Sequence, residues 1–307
     1  MLNRGLTIGM KGFYKLQTRN KFSGKITQST DWFPNLLLDA GRNQMGISNF
    51  MTHCQVGTDG TAPNAGQAGL IGYHAGSSNI VSDVTGNQVT VAPYYAYRRK
   101  VWRFNPGTVA ATLPEVGVGW GLSGSTLISR ALILDPVLQT STTITPLVDE
   151  FLEMLYELRY YPPTTDVVGP QVTLNGIVYN TLTRAAEVNS QYWADYIGSK
   201  IGVLGSQWMS YDGAIGTQLQ NPSGLAHELQ TYALTNAAYV GNSYEVIMSC
   251  PVSYASWNLA AGIRSIRIRT TAGSFQTQFT AVGAGNTIPK TASNQMMMKW
   301  KLAWAAL

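Results

Sequence analysis

Four carboxylates, Asp149, Glu150, Glu153 and Glu157, fall within nine consecutive positions. Paired carboxylates are what glycoside hydrolysis requires, one to protonate the leaving oxygen and one to attack or to activate water. As a strand, however, LVDEFLEMLYELRYY sets Glu153 and Glu157 on one face with Leu155 and Arg159, so a counter-ion stands ready. The cluster is then a solvated or subunit-facing edge. Three histidines, His53, His74 and His227, bound the rest of the search. AHELQT opens an HExxH at His227-Glu228, but position 231 is Thr, so the second ligand of a zinc helix is missing and His227 is a surface or helix-end residue. Ser123 and Ser125 lie among glycines in GLSGS without the spacing of a nucleophile elbow. The isolated Asp59 and Asp83 do not make a calcium series. Cys54 and Cys250 stand far apart with no CxxC, which fits two buried thiols better than a disulfide framework or a zinc knuckle. No catalytic residue, metal site or cofactor is expected.

The stretch CQVGTDGTAPNAGQAGL places Gly57, Gly60, Gly66 and Gly69 in one loop. A phosphate cradle would end in Gly-Lys-Ser/Thr at a helix N-terminus. This loop contains no lysine, arginine or histidine, so a nucleotide site is not read here.

Charge is scarce. Of 307 residues 12% are charged and 45% hydrophobic, with 31 glycines, about half the usual charged share and the opposite of a disordered chain. The surface must be largely neutral and polar, which suits a protein that stays bound to copies of itself or to neighbours. The net charge is +5, and Arg4, Lys11, Lys15, Arg19, Lys21 and Lys25 all precede the first carboxylate, Asp31. That basic start is either a solvated strand pair or a segment laid on an acidic partner or nucleic acid. No single tract interleaves cations and aromatics densely enough to be a nucleic-acid motif. No run of eighteen apolar residues occurs, so a membrane span is not expected, nor is a secretory leader.

Period-two alternation dominates the elements that must position these groups. NQVTVAPYYAYRRKVWRF is one long strand or two bent at Pro93, SIRIRTTAGSFQTQFT is a hairpin, and VTLNGIVYN is a second hairpin around Asn175-Gly176. Further strands are expected at 114–119, 126–134, 243–250 and in MMMKWKLAWAAL. LVDEFLEMLYELRYY also fits a helical stripe, which propensity favours. Between about 182 and 236, LTRAAEVNSQYWADYIGSK and GLAHELQTYALTN carry three-to-four spacing and suggest two short helices. The rings of Tyr192, Trp193, Tyr196 and Trp208 in this excursion are the candidates for stacking on sugars, although most aromatics belong in a core. The fold class expected is mainly β: a β-sandwich of jelly-roll type with a partly helical insertion. Residues 1–163 form the sandwich strands with the basic N-terminal segment, 164–261 an insertion of mixed helix and strand, and 262–307 strands that complete the sandwich.

The blocks GFYKLQTRN, SGKITQSTDWFPNLLLDAGRNQMG, CQVGTDGTAPNAGQAGL, YRRKVWRF, LPEVGVGW, LISRALILD and VDEFLEMLYELRYYPP, in this order, resemble structural proteins of tailed-bacteriophage virions, of tail, tail-fibre or baseplate type. FTAVGAGNTIPKTASNQMMMKWKLAW resembles the same proteins, so the likeness covers about 12–163 and 262–304. It implies that 150–161 is a strand. It also implies that the glycine-rich loop follows a strand and makes a subunit contact through Gly57, Gly60, Gly66 and Gly69. The function implied is a non-enzymatic virion component, made in a host bacterial cytoplasm and assembled as a symmetric homo-oligomer, a trimer or a ring, in the tail, collar or baseplate. Its basic segment, Lys11, Lys15, Arg19, Lys21 and Lys25, would dock on other virion proteins. The alternatives are a receptor-binding fibre that touches host surface polysaccharide, a head-decorating protein, and a depolymerase that uses two of the clustered carboxylates.

Overall fold

The computed structural model of the chain describes residues 6–135, 138, 140–174, 176–228, 234–283 and 287–307; Arg4, Asn175 and Thr231 lie outside them. Strands take 49% of the chain and helix 3%, in three sheets that make a sandwich-like, mainly β fold. The chain begins with β1 (Leu6–Asn20), β2 (Ile26–Ser29), β3 (Phe33–Pro34), β4 (Leu36–Leu37) and the short helix α1 (Asp39–Met45). It continues through β5 (His53–Gly57), β6 (Tyr73–Ser77), β7 (Ile80–Gln88), β8 (Tyr95–Phe104), β9 (Glu115–Gly119), β10 (Leu127–Leu132) and β11 (Glu150–Tyr161). Then follow β12 (Val167–Val168), β13 (Val172–Leu174), β14 (Ile177–Ala186), β15 (Val203–Tyr211), β16 (Ala226–Glu228), β17 (Thr235–Asn236) and β18 (Glu245–Val252). The last strands are β19 (Ser265–Thr270), β20 (Gly273–Ala281) and β21 (Met296–Ala306).

The large sheet runs β17-β18-β21-β1-β11-β8-β7, with β2 and β3 attached to β1. All its long pairings are antiparallel except β1 with β21, where Leu6 stands opposite Leu302 and Met10 opposite Ala306. Successive side chains on a strand point to opposite faces, and β1 obeys this closely. Leu6, Ile8, Met10, Gly12, Tyr14, Leu16 and Thr18 are buried, whereas the residues between them from Lys11 onward are half-exposed. The buried faces of β1, β11 and β8 pack on the second sheet, β4-β10-β9-β5-β6. Tyr14 Oη lies 2.6 Å from Ser129 Oγ of β10, and the Trp102 indole N–H donates to the Thr52 carbonyl at 3.3 Å. Gly12 leaves the room in which the Tyr156 hydroxyl and the Asn35 amide meet, because a Cβ there would strike both.

The third sheet, β12-β14-β20-β19-β15-β16 with β13 on β14, covers the other half of the large sheet. The Phe275 ring sits 5.0 Å from Trp300 of β21 and 5.2 Å from Trp193. Thus β19 and β20 are the central strands of a sheet whose other strands come from 167–228, while β17 and β18 of the expected insertion and β21 join the large sheet beside β1. Segment 150–161 is a strand, as the virion likeness implies.

Among the described residues, the helical share expected in the insertion shrinks to one 3-10 turn, Gln191–Trp193; residues 229–233 of GLAHELQTYALTN lie outside them. LTRAA lies instead in β14, paired with β20 from Tyr179↔Ala281 to Ala186↔Ser274. Its Ala and Arg favour helix, but two neighbouring strands and the burial of Thr181, Thr183 and Ala185 outweigh local preference. His227 and Glu228 lie on β16, so the stretch that mimics a zinc helix is extended there. Conversely, α1 is a helix where none was expected. It rests on β10 through Gly41, whose Cβ would collide with the Ile128 backbone. Around Asn175-Gly176, Leu174 pairs with Ile177, and Gly176 has the positive φ of +77° that the turn requires.

Candidate functional site

The outward face of β1, β11 and β8 gathers charged residues from three distant segments. In register, Lys11 stands opposite Arg159, Phe13 opposite Glu157, and Gln17 opposite Glu153; on the other flank Glu157 pairs with Arg99 and Glu153 with Arg103. Because these positions alternate with core residues, all of them point away from the sandwich.

Two carboxylates organise the face. Glu153 accepts from Gln17 Nε2 at 2.5 Å, from Arg19 Nη2 at 3.3 Å, and from Arg103 Nε and Nη2 at 3.1 and 2.5 Å. Glu157 accepts from Arg99 Nε and Nη2 at 3.0 and 2.6 Å and from Arg159 Nε at 2.7 Å. The side chains of both glutamates are 4% exposed, while those of Arg19, Arg99, Arg103 and Arg159 are 27–41% exposed. The acids are therefore sealed and the cations open. Burial pushes the Glu153 carboxyl up, but its hydrogen bonds from Gln17, Arg103 and Arg19 together outweigh that and hold it below the usual glutamate value.

Rings fill the spaces between the cations. The Arg159 guanidinium lies over Phe13 at 4.2 Å and over Tyr95 at 4.4 Å, Arg103 over Phe151 at 4.9 Å, and Arg99 over Trp32 at 5.0 Å. Six cations, Lys11, Lys15, Arg19, Arg99, Arg103 and Arg159, face two carboxylates, which leaves four positive charges in excess. At one end of the strip a groove of about 450 Å³ opens between Lys11, Tyr161, Pro93 and Pro162. At the other end the β1–β2 turn projects Phe22, 80% exposed, with the Lys21 ammonium 4.7 Å from its ring. The Asn20 side-chain oxygen fixes that tip by accepting from the N–H groups of Phe22 and Ser23. Of the basic N-terminal residues, then, Lys11, Lys15 and Arg19 stand on the sheet face and Lys21 and Lys25 at its tip.

The carboxylate cluster is not at an edge, because β11 sits between β1 and β8. Strand alternation made Arg159 visible as a partner of Glu157, but Arg99, Arg103 and Arg19 become partners only through the strand order. In the glycine-rich loop, two of the four glycines lie against the chain itself. Gly57 makes room for the Glu115 carboxylate, and Gly69 lies against the Gly124 carbonyl, so both serve contacts within the chain; Gly60 and Gly66 are exposed. The loop is fastened by Arg130, which donates to Glu115 Oε2, Gln67 Oε1 and the Thr61 carbonyl at 2.7, 2.9 and 2.7 Å. Sequence inspection passed over this pair; its signal is a lone charge inside each of two apolar strands, LISRALIL and LPEVGVGW.

The proposed sugar-stacking set comes apart. Trp193 and Trp208 are fully buried, Trp193 with its N–H donated to the Ala186 carbonyl at 2.9 Å, so neither offers a ring to a ligand. Tyr192 and Tyr196 are half-buried, and Tyr192 lies under the Arg269 guanidinium at 3.7 Å. Cys54 and Cys250 are buried free thiols, Cys250 pushed up to about 12 by desolvation. Ser123 and Ser125 are exposed on a turn. Among the described residues no three His, Cys, Asp or Glu converge as a metal site, and no helix is long and apolar enough to cross a membrane. Compared with protein-family models, with curated proteins and with solved structures, the chain matches none.

Proposed function

We propose that this chain is a non-enzymatic structural protein of a tailed-bacteriophage particle, which assembles with copies of itself and docks on an anionic neighbour through the open face of its large sheet. The observation that carries the reading is the arrangement of Glu153 and Glu157. Glycoside hydrolysis needs one carboxylic acid that keeps its proton near neutral pH. Here both crowded acids are sealed under arginines, and Glu153 is held ionised, so they act as fasteners that fix a row of guanidiniums outward. A surface of fixed cations and half-exposed rings is built for binding.

Contact between copies has its own support. The edge strand β7 exposes Ile80, Val81 and Val84 and carries no Lys, Arg or Pro, the usual guards of a free strand edge. Its one charge, Asp83, is paired with Arg98 at 2.7 Å. The glycan-binding alternative, by contrast, loses Trp193 and Trp208 to the core.

Labelling the subunit on purified particles and imaging them by electron microscopy tests the reading, with light scattering of the isolated protein beside it. The label is expected at a fixed position on the particle, and the purified protein at a multiple of 33.3 kDa. Particles that never carry the label, with a subunit that remains a 33.3 kDa monomer, overturn it.

A further inference from the structure

The basic face needs an anionic occupant, and a second copy of this chain is poorly supplied with accessible acids. Of sixteen Asp and Glu, five are buried: Glu115, Glu150, Glu153, Glu157 and Glu187. Four more, Asp39, Asp83, Asp166 and Glu245, are paired with the chain's own arginines or lysine. The other seven are separated from one another by at least fourteen positions in the sequence. Face-to-face pairing of two copies would oppose like charge with like.

The pattern of the face narrows the class of anion. Along β1 the outward order is Lys11, Phe13, Lys15, Gln17, Arg19, and along β8 it is Tyr95, Tyr97, Arg99, Val101, Arg103. Cations recur every fourth residue, about 13 Å apart on a strand, with planar groups between and beside them. Arg159 lies over both Phe13 and Tyr95, so rings and guanidiniums tile the middle of the strip. Arg99 and Arg103 spend Nε and Nη2 on their glutamates, and Nη1 of each is left without a hydrogen bond among the described residues. An acidic protein surface would use the charges and leave the rings idle. Single-stranded nucleic acid uses both, because its phosphates meet cations while its bases stack on rings and guanidinium planes.

We propose that the open face of β1, β11 and β8 binds single-stranded nucleic acid without sequence preference, its phosphates along Lys11, Lys15, Arg99 and Arg103 and its bases on the neighbouring rings. The proposal rests on the reading of this face as a docking surface and names its occupant.

Fluorescence anisotropy of the full chain with a labelled oligothymidylate, against a duplex of equal length and against polyglutamate, tests it. Four excess charges predict a log–log salt slope near −3, which weakens binding about 50-fold between 50 and 200 mM salt. Lys11→Ala with Lys15→Ala removes two phosphate contacts and strands no carboxylate among the described residues, because Glu153 and Glu157 are held by arginines. The slope should fall by about half with the melting temperature unchanged. Trp32→Ala, at a ring 38% exposed, should weaken binding about fivefold or more and leave the slope as it was. Lys200→Ala, exposed elsewhere, should change nothing.

No binding to oligothymidylate overturns the proposal, as does tighter binding to the duplex. Polyglutamate binding equal to that of the oligonucleotide and indifferent to Trp32→Ala also overturns it, and assigns the face to an acidic protein. The particle-labelling experiment is separate: a labelled particle with no oligonucleotide binding leaves the virion reading standing and removes this one.

Discussion

Arg130 Nε lies 2.7 Å from Glu115 Oε2, and neither side chain has any solvent exposure. Breaking such a pair from one side strands a charge in the interior, which costs about 3–5 kcal/mol, whereas replacing both partners with apolar groups is often close to neutral. Arg130→Ala should therefore lower the urea midpoint sharply, and Arg130→Met with Glu115→Leu should recover most of the loss. The double variant still lacks the anchors on the Thr61 carbonyl, Gln67 and the Gly72 N–H. Limited proteolysis should then cut between Thr58 and Gly72 faster than in the native chain, even where global stability is restored.

Acid should weaken the large sheet through Glu153. Its folded-state carboxyl sits below the reference value of 4.5, so the stabilisation is complete above about pH 4.5 and is lost as pH falls through the lower folded value. Glu187, desolvated but held ionised by Arg269, Arg267 and Ser274, acts in the same direction in the third sheet. Urea melts from pH 6 to pH 3 should show a falling midpoint, and Glu153→Gln should flatten the fall while lowering the plateau.

Neither thiol should react in the native protein. Desolvation pushes Cys54 well above its ordinary value and Cys250 up to about 12, and both are buried. A disulfide reagent at pH 8 should label neither within the time in which it labels both in denaturant. Fast labelling of one thiol in buffer would mean that its sheet opens locally.

Trp193 should behave as core. Trp193→Ala removes a fully buried ring that contacts Phe275 and a hydrogen bond to Ala186, an expected loss of about 3–5 kcal/mol. Gly273→Ala should destabilise the same spot, since its φ is +121° and a Cβ there would enter the Trp193 indole. Thermal melts of the two variants measure both effects.

Most strands were legible because one face is wet and the other dry. The alternation in YRRKVWRF and MMMKWKLAW maps onto β8 and β21 almost residue for residue, whereas SIRIRT keeps the period as β19 but is buried on both faces, Arg267 included. Two kinds of feature were not legible. Helix α1 has seven residues, an internal Gly41 and Leu38 at its cap with no side-chain hydrogen bond, so Asp39 in its first turn is a weak signal of a helix start. Residues 182–186 carried a helical signal that pairing with β20 overrode. The basic face failed to show for a different reason. Lys11 to Arg19, Arg99 with Arg103, and Arg159 each look like an ordinary polar strand face, and only the strand order β1-β11-β8 makes them one surface.

The parallel seam between β1 and β21 sets a schedule for biosynthesis. Leu6 meets Leu302, so at ribosomal speeds of about 5–20 residues per second the first strand waits roughly 15–60 seconds for its neighbour. Throughout that delay β1 presents an unzipped flank to every other nascent chain nearby, and β18 adds a second one once it is made. A product stopped short of Met296 would keep both flanks bare, and should go to inclusion bodies unless a chaperone shields it.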